Sequence, residues 1–124
     1  MSTYIKFNDN DTLYPAVIGG KMSDKDWDGR ASKYIHTEIS YDEAINLFTD
    51  EVKWSIVMDV EHEVENINEE TGDIVKEIIM KQEVYDNSEY CILGDIIVHK
   101  DDTVTIKMGK PTAEEILAML EEVL

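Results

Sequence analysis

A single cysteine, Cys91, rules out an intramolecular disulfide framework, and the strand-like run around it reads as a place for a small apolar side chain rather than a nucleophile. No apolar run approaches the ~20 residues that a helix needs to cross a bilayer. The first residues, MSTYIKFNDN, have neither a basic start with an apolar core nor a small-residue cleavage site, so a soluble protein made in a cytoplasm is expected. There is no phosphate-binding glycine loop, nucleophile elbow or dinucleotide fingerprint. His36, His62 and His99 stand far apart without metal-type spacing such as H-x-x-x-H, and only a fold that gathers them would make a shared site. Nothing in this inventory points to an enzyme.

Positive charge is the other scarcity. Against 28 acidic residues stand 11 basic ones, a formal net charge of −17, and Arg30 is the only arginine. Direct binding of DNA or RNA needs cations to replace condensed counterions, so nucleic acid is not an expected ligand. An acidic surface keeps a protein soluble, attracts basic partners, or competes with DNA for a DNA-binding protein.

What is present describes a folded domain. With 43% hydrophobic and 31% charged residues, the 124-residue chain is expected to be a single domain, 1–124, with a modest core and a heavily charged surface. The organising stretch runs from Lys33 to Val60 as strand, capped helix, strand. Ser40 and Glu43 form a capping box, and Tyr41, Ala44, Ile45 and Phe48 make one apolar stripe. Val52, Trp54, Ile56, Met58 and Val60 then alternate with polar residues, the signature of a half-buried strand.

The rest of the chain supplies more strands. Tyr4 to Phe7 is one, and Leu13 to Ile18 is a second, closed by Gly19 and Gly20; Pro15 places it at a sheet edge or starts it after the proline. Residues 21–32 read as a loop built on Asp and Gly. Residues 60–84 predict an acidic hairpin extension with a turn at Thr71 and Gly72, although 74–84 also fits a helical face through Val75, Ile78, Ile79 and Gln82. Tyr90 to His99, apolar on both faces, reads as a strand inside the sheet, and Thr103 to Met108 as its half-buried hairpin partner. A second capping box, Thr112 with Glu115, starts a C-terminal amphipathic helix whose face is Ile116, Leu117, Leu120, Val123 and Leu124. That face either packs on the sheet or meets another chain. The fold class is therefore α+β: a mainly antiparallel sheet of about six to seven strands, closed into a barrel or left with an edge, a short central helix and a C-terminal helix.

One motif suggests an ion. Asp24, Asp26 and Asp28 followed by Gly29 match the first half of a calcium loop, where carboxylates converge on a hard cation. The second half fails, because the twelfth position is Ile35 where a bidentate glutamate is needed, so a calcium site here is a looser one using Glu38 or a backbone carbonyl. The ordinary alternative is a turn in which the aspartates cap backbone groups around a packed Trp27. The glutamates at 61, 63, 65, 69, 70 and 77 contain enough carboxylates for an acid and base pair, but a run of charges is more simply a solvated face.

Three segments carry a family resemblance: IKFNDNDTLYPAVIGG, MSDKDWDGRASKYIHTEISYDEAINLFTDEVKWSIV and EVYDNSEYCILGDIIVHKDDTVTIKMGKPTAEE. Together they resemble small accessory proteins encoded in the tail modules of tailed phages and prophages of Gram-positive bacteria, with residues 60–83 as a variable hairpin. The resemblance implies a virion or assembly role and supplies no active site. It also implies synthesis in the bacterial host cytoplasm, with the virion as a destination. Two functions follow as expectations. The first is a structural or assembly component that contacts other phage proteins or itself through strand edges and the C-terminal helix. The second is an acidic mimic of DNA that blocks a basic groove on a host enzyme, which requires carboxylates on one face at phosphate-like spacing.

Overall fold

The computed structural model describes residues 2–49 and 52–123. Seven strands form one antiparallel sheet: β1 (Thr3–Phe7), β2 (Tyr14–Asp24), β3 (Arg30–Thr37), β4 (Trp54–Ile67), β5 (Ile74–Asp86), β6 (Ile92–Val98) and β7 (Val104–Gly109). Their spatial order is β5-β4-β1-β2-β3-β7-β6, so the sheet is open and β5 and β6 are its edges. Two α-helices complete the α+β fold, α1 (Tyr41–Leu47) between β3 and β4 and α2 (Ala113–Val123) at the end. Leu124 and the side chain of Val123, both assigned to the apolar face of the last helix, lie outside the described residues.

Alternation along the strands builds the core. Ile5 and Phe7 of β1, Ile35 of β3, Trp54 and Ile56 of β4, and Val104, Ile106 and Met108 of β7 are buried in one cluster, which Ala44 and Phe48 of the α1 segment cover. Phe48 meets Phe7 and Trp54 edge-to-face, with ring centroids 5.0 and 6.1 Å apart. Such pairs add about 0.5–1.5 kcal/mol each beyond the area they bury. The indole N–H of Trp54 donates to the carbonyl of Tyr90 at 3.0 Å, so the largest core side chain has no unmet polar group. Helix α1 starts where its capping box requires, with the Ser40 hydroxyl accepting from the Glu43 N–H at 3.1 Å. Only half of its stripe is covered: Tyr41 and Ile45 remain exposed because the helix is a single short layer over the sheet.

Several expectations are corrected. β2 does not stop at Gly19 and Gly20 but continues to Asp24, pairing with β3 as far as Lys21↔Ser32 and, after a register shift, at Asp24↔Arg30. Residues 21–32 are therefore mostly strand. β2 is also interior, between β1 and β3; Pro15 is the last β2 residue paired with β1, opposite Tyr4, so its missing N–H falls where that ladder ends. β6, apolar on both faces, lies at an edge, where Ile97 and Val98 stay about half-exposed. Segment 74–84 is strand throughout, because it finds a full-length partner: thirteen consecutive β4–β5 pairs run from Ser55↔Asp86 to Ile67↔Ile74 without a register shift. Asn68 and Gly72 close this hairpin, with Gly72 N–H donating to Asn68 O at 2.7 Å and Gly72 at φ +74°. Beyond Val60 and Lys81 most of its side chains are exposed, so the hairpin stands out as an arm.

Candidate functional site

The aspartate loop folds onto the sheet face opposite the core. β3 alternates Ile35 inward with Ser32, Tyr34 and His36 outward, and β7 alternates Ile106 and Met108 inward with Thr105, Lys107 and Gly109 outward. A 3-10 turn at Lys25–Trp27 lays Trp27 over this outer surface. A Cβ on Gly109 would lie 2.7 Å from the Trp27 ring, and one on Gly94 of β6 would lie 2.9 Å from it. These glycines make the floor on which the indole sits. The cations of Arg30 and Lys107 lie 4.9 and 5.0 Å from the Trp27 ring.

Asp24 is the anchor of this cap. It is fully buried, and its carboxylate accepts from Lys107 Nζ at 2.7 Å, Tyr34 Oη at 2.8 Å, Ser32 Oγ at 3.3 Å and the Asp26 N–H at 3.1 Å. The Lys107 hydrogen bond, followed by that of Tyr34, holds the Asp24 carboxyl well below the usual carboxylate range. The same contact raises the ammonium of Lys107 above its ordinary value. Asp28 takes a left-handed conformation, φ 59°, that short polar residues tolerate, and Gly29 follows at φ 75°. Its carboxylate is exposed and 3.9 Å from Arg30.

The three candidate calcium ligands thus have separate fates: Asp24 faces Lys107, Asp26 contributes its N–H to Asp24, and Asp28 faces solvent beside Arg30. Glu38, the fourth candidate, follows the far end of β3. Among the described residues no three His, Cys, Asp or Glu side chains gather as a metal site requires.

Arg30 joins the cap to the C-terminal helix. Its guanidinium is buried and donates from Nη1 to Glu115 Oε1 at 2.7 Å and to the Lys110 carbonyl at 3.1 Å. Glu115 also closes the predicted capping box, accepting from Thr112 N–H at 2.9 Å while its own N–H donates to Thr112 Oγ1 at 3.2 Å. The Arg30 hydrogen bond, then that of Thr112, lowers the Glu115 carboxyl to about 2. Past this tether no described side chain of α2 joins the core cluster. Ile116, Leu117, Met119 and Leu120 are between 47% and 58% exposed.

The histidines are partly gathered. His36 and His99 lie 5.2 Å apart between ring centroids, and both bond the Thr105 hydroxyl, at 3.1 and 2.7 Å. His62 is elsewhere, 3.1 Å from Glu83 across the arm. Register explains the pair, since His36 faces Thr105 across β3 and β7, whereas His62 sits on β4. Of the arm's acids, Glu61, Glu63 and Glu65 share one face with Asp59, while Glu77 lies on the other. Glu69 and Glu70 belong to the turn, where Glu70 N–H donates to Asn68 Oδ1 at 2.9 Å. Cys91 is half-buried and unpaired just before β6.

Sequence reasoning missed the roles of Lys107, Arg30, Tyr34 and the two glycines. The available signal was Gly94 inside one strand pattern, which marks close approach of another group, and Gly109 just past the end of the next, together with one tryptophan in an otherwise polar loop. No family model matches the chain, and comparison with characterised proteins and with solved structures found no similar one.

Proposed function

We propose that the chain is a non-enzymatic accessory protein that acts by binding other proteins, in the structural or assembly role implied by its resemblance to tail-module proteins of phages and prophages. The observation that carries this reading is α2: a helix fixed at its first turn whose described apolar residues, Ile116, Leu117, Met119 and Leu120, are left exposed by its own domain. Contiguous exposed apolar surface of this kind marks an interaction site. The Asp24 cluster favours the same reading, because its charges are spent on one another and on Trp27, which suits a rigid mount for the helix. Glu114, Glu121 and Glu122 flank the apolar face and α2 has no basic residue, so the matching partner is an apolar groove rimmed by Lys or Arg.

The test is capture of partners by the tagged chain and by its Leu117→Glu/Leu120→Glu variant, both shown to be folded. A tail-module protein retained by the first and lost by the second supports the reading. Equal capture by both refutes the role of α2, and small-molecule turnover by the purified chain refutes a non-enzymatic function.

A second reading, the DNA mimic, is favoured by one observation. Asp59, Glu61, Glu63 and Glu65 point from the same face of β4, at steps of ~6.8 Å. The row is diluted by Ile78 and Met80, which stand opposite Glu63 and Glu61, and by Lys76, 3.6 Å from Glu63. It predicts capture of a DNA-binding enzyme that is lost at moderate salt and in the Glu61→Gln/Glu63→Gln/Glu65→Gln variant.

A further inference from the structure

The two free edges of the sheet differ in a way that points to a partner. Exposed strand edges are templates for pairing, and proteins that stay monomeric blunt them with bulges, proline, charged side chains such as lysine, or short length. β6 has such devices: seven residues, Asp95 in its middle, and a register shift between Leu93 and Ile96. Of these β5 has only charged side chains. It runs for thirteen residues, holds no proline or glycine, shows no register shift, and among the described residues pairs with β4 alone. Its edge also carries apolar side chains, Ile74, Ile78, Met80 and Val84, each between 56% and 70% exposed. Lys76 and Lys81 are two of only eleven basic residues in the chain, so β5 is close to neutral within a molecule of charge −17.

We propose that β5 pairs antiparallel with β5 of a second copy of this chain, in the register that places Ile79 opposite itself on the two-fold axis. In that register residue i faces residue 158 minus i. Ile78 then meets Met80, Ile74 meets Val84, and Glu77 meets Lys81, each contact occurring twice by symmetry. Neighbouring registers with the required face-to-face parity do worse. Moving one way sets Glu77 opposite Glu83; moving the other sets Glu77 opposite Ile79 and Lys76 opposite Met80. The acidic row of β4 lies one strand behind the new seam, so it does not oppose its own copy directly. This pairing does not rest on what α2 binds.

The test is sedimentation equilibrium of the whole chain with charge variants. Within one copy Glu77 and Lys81 stand opposite Val64 and Val60, so exchanging the two charges breaks no ion pair along β4. Lys81→Glu is expected to weaken the dimer about tenfold, since two attractive contacts become repulsive, and Glu77→Lys/Lys81→Glu to restore it to within about threefold. Added salt is expected to strengthen the dimer, because the long-range repulsion of two acidic molecules is screened. As an independent check, Ile79→Cys in a Cys91→Ser background should oxidise to a cross-linked dimer at micromolar protein, and Glu77→Cys in the same background should not. A chain that stays monomeric at millimolar concentration, a dimer indifferent to Lys81→Glu, a charge swap that fails to restore, or equal cross-linking at positions 77 and 79 each overturns the proposal.

Discussion

Gly109→Ala is expected to dislodge the tryptophan cap. The added methyl would sit 2.7 Å from both Trp27 Cζ3 and Arg30 Cδ, and 3.0 Å from Trp27 Cη2. Carbon atoms pack at about 3.5–4.0 Å, so roughly 1 Å must be found. The indole cannot slide freely, because Gly94, Lys107 and Arg30 bound it on the same surface. Overpacking of this kind costs about 1–3 kcal/mol, which for a chain of this size lowers Tm by roughly 4–12 °C. Urea unfolding followed by tryptophan fluorescence reads both the loss of stability and the change in Trp27 environment. Gly19→Ala is the control: nothing lies within 4 Å of its Cβ, and the substitution is expected to be neutral or stabilising by up to about 1 kcal/mol. In a Trp27→Ala background the cost of Gly109→Ala should shrink, since the two positions share one contact. If Gly109→Ala leaves stability and emission unchanged, or if Gly19→Ala is equally harmful, the close-approach argument is wrong.

Other outcomes follow from the same geometry. Glu115 and Asp24 have folded-state pKa values below their ordinary ones, so their stabilising contribution is complete above about pH 4.5; that of Glu115 is lost as pH falls toward 2, and that of Asp24 at lower pH still. Glu115→Gln should flatten the urea midpoint against pH over that window. Lys107→Met leaves the buried Asp24 carboxylate without its cation and is expected to lower Tm more than Lys76→Met, whose Glu63 partner is exposed. Leu117→Glu/Leu120→Glu removes no core contact, so its unfolding free energy should stay within about 0.5 kcal/mol of the parent at monomeric concentrations. Replacing residues 61–80 by a short turn removes side chains that are mostly exposed and should leave near-ultraviolet dichroism of the core intact.

Local signals carried much of the fold. Ser40 with Glu43 and Thr112 with Glu115 marked both helix starts; the second pair makes both reciprocal hydrogen bonds, the first the one to the serine hydroxyl. Alternation identified β4 and β7, because each has one face in the core. What depended on distant partners was not legible. Glycines 19 and 20 look like a strand end until β3 is placed beside them. Residues 74–84 fit two periods, and only the full-length pairing with β4 selects one. Asp24, Asp26 and Asp28 resemble ion ligands because spacing alone does not reveal Lys107, 83 positions away from Asp24, as the cation that Asp24 faces. The apolar face of α2 was visible as a pattern, but the exposure of Ile116, Leu117 and Leu120 on it is a property of the assembled sheet.

The central claim is that this scaffold works by presenting α2 to another protein. Site-specific photo-crosslinking from position 120, in the cells that encode the chain, tests it most directly. The proposed assembly role predicts a discrete adduct with a phage tail-module protein, lost when Leu117 is replaced by Glu. An absence of adducts, or adducts unchanged by Leu117→Glu, would contradict it.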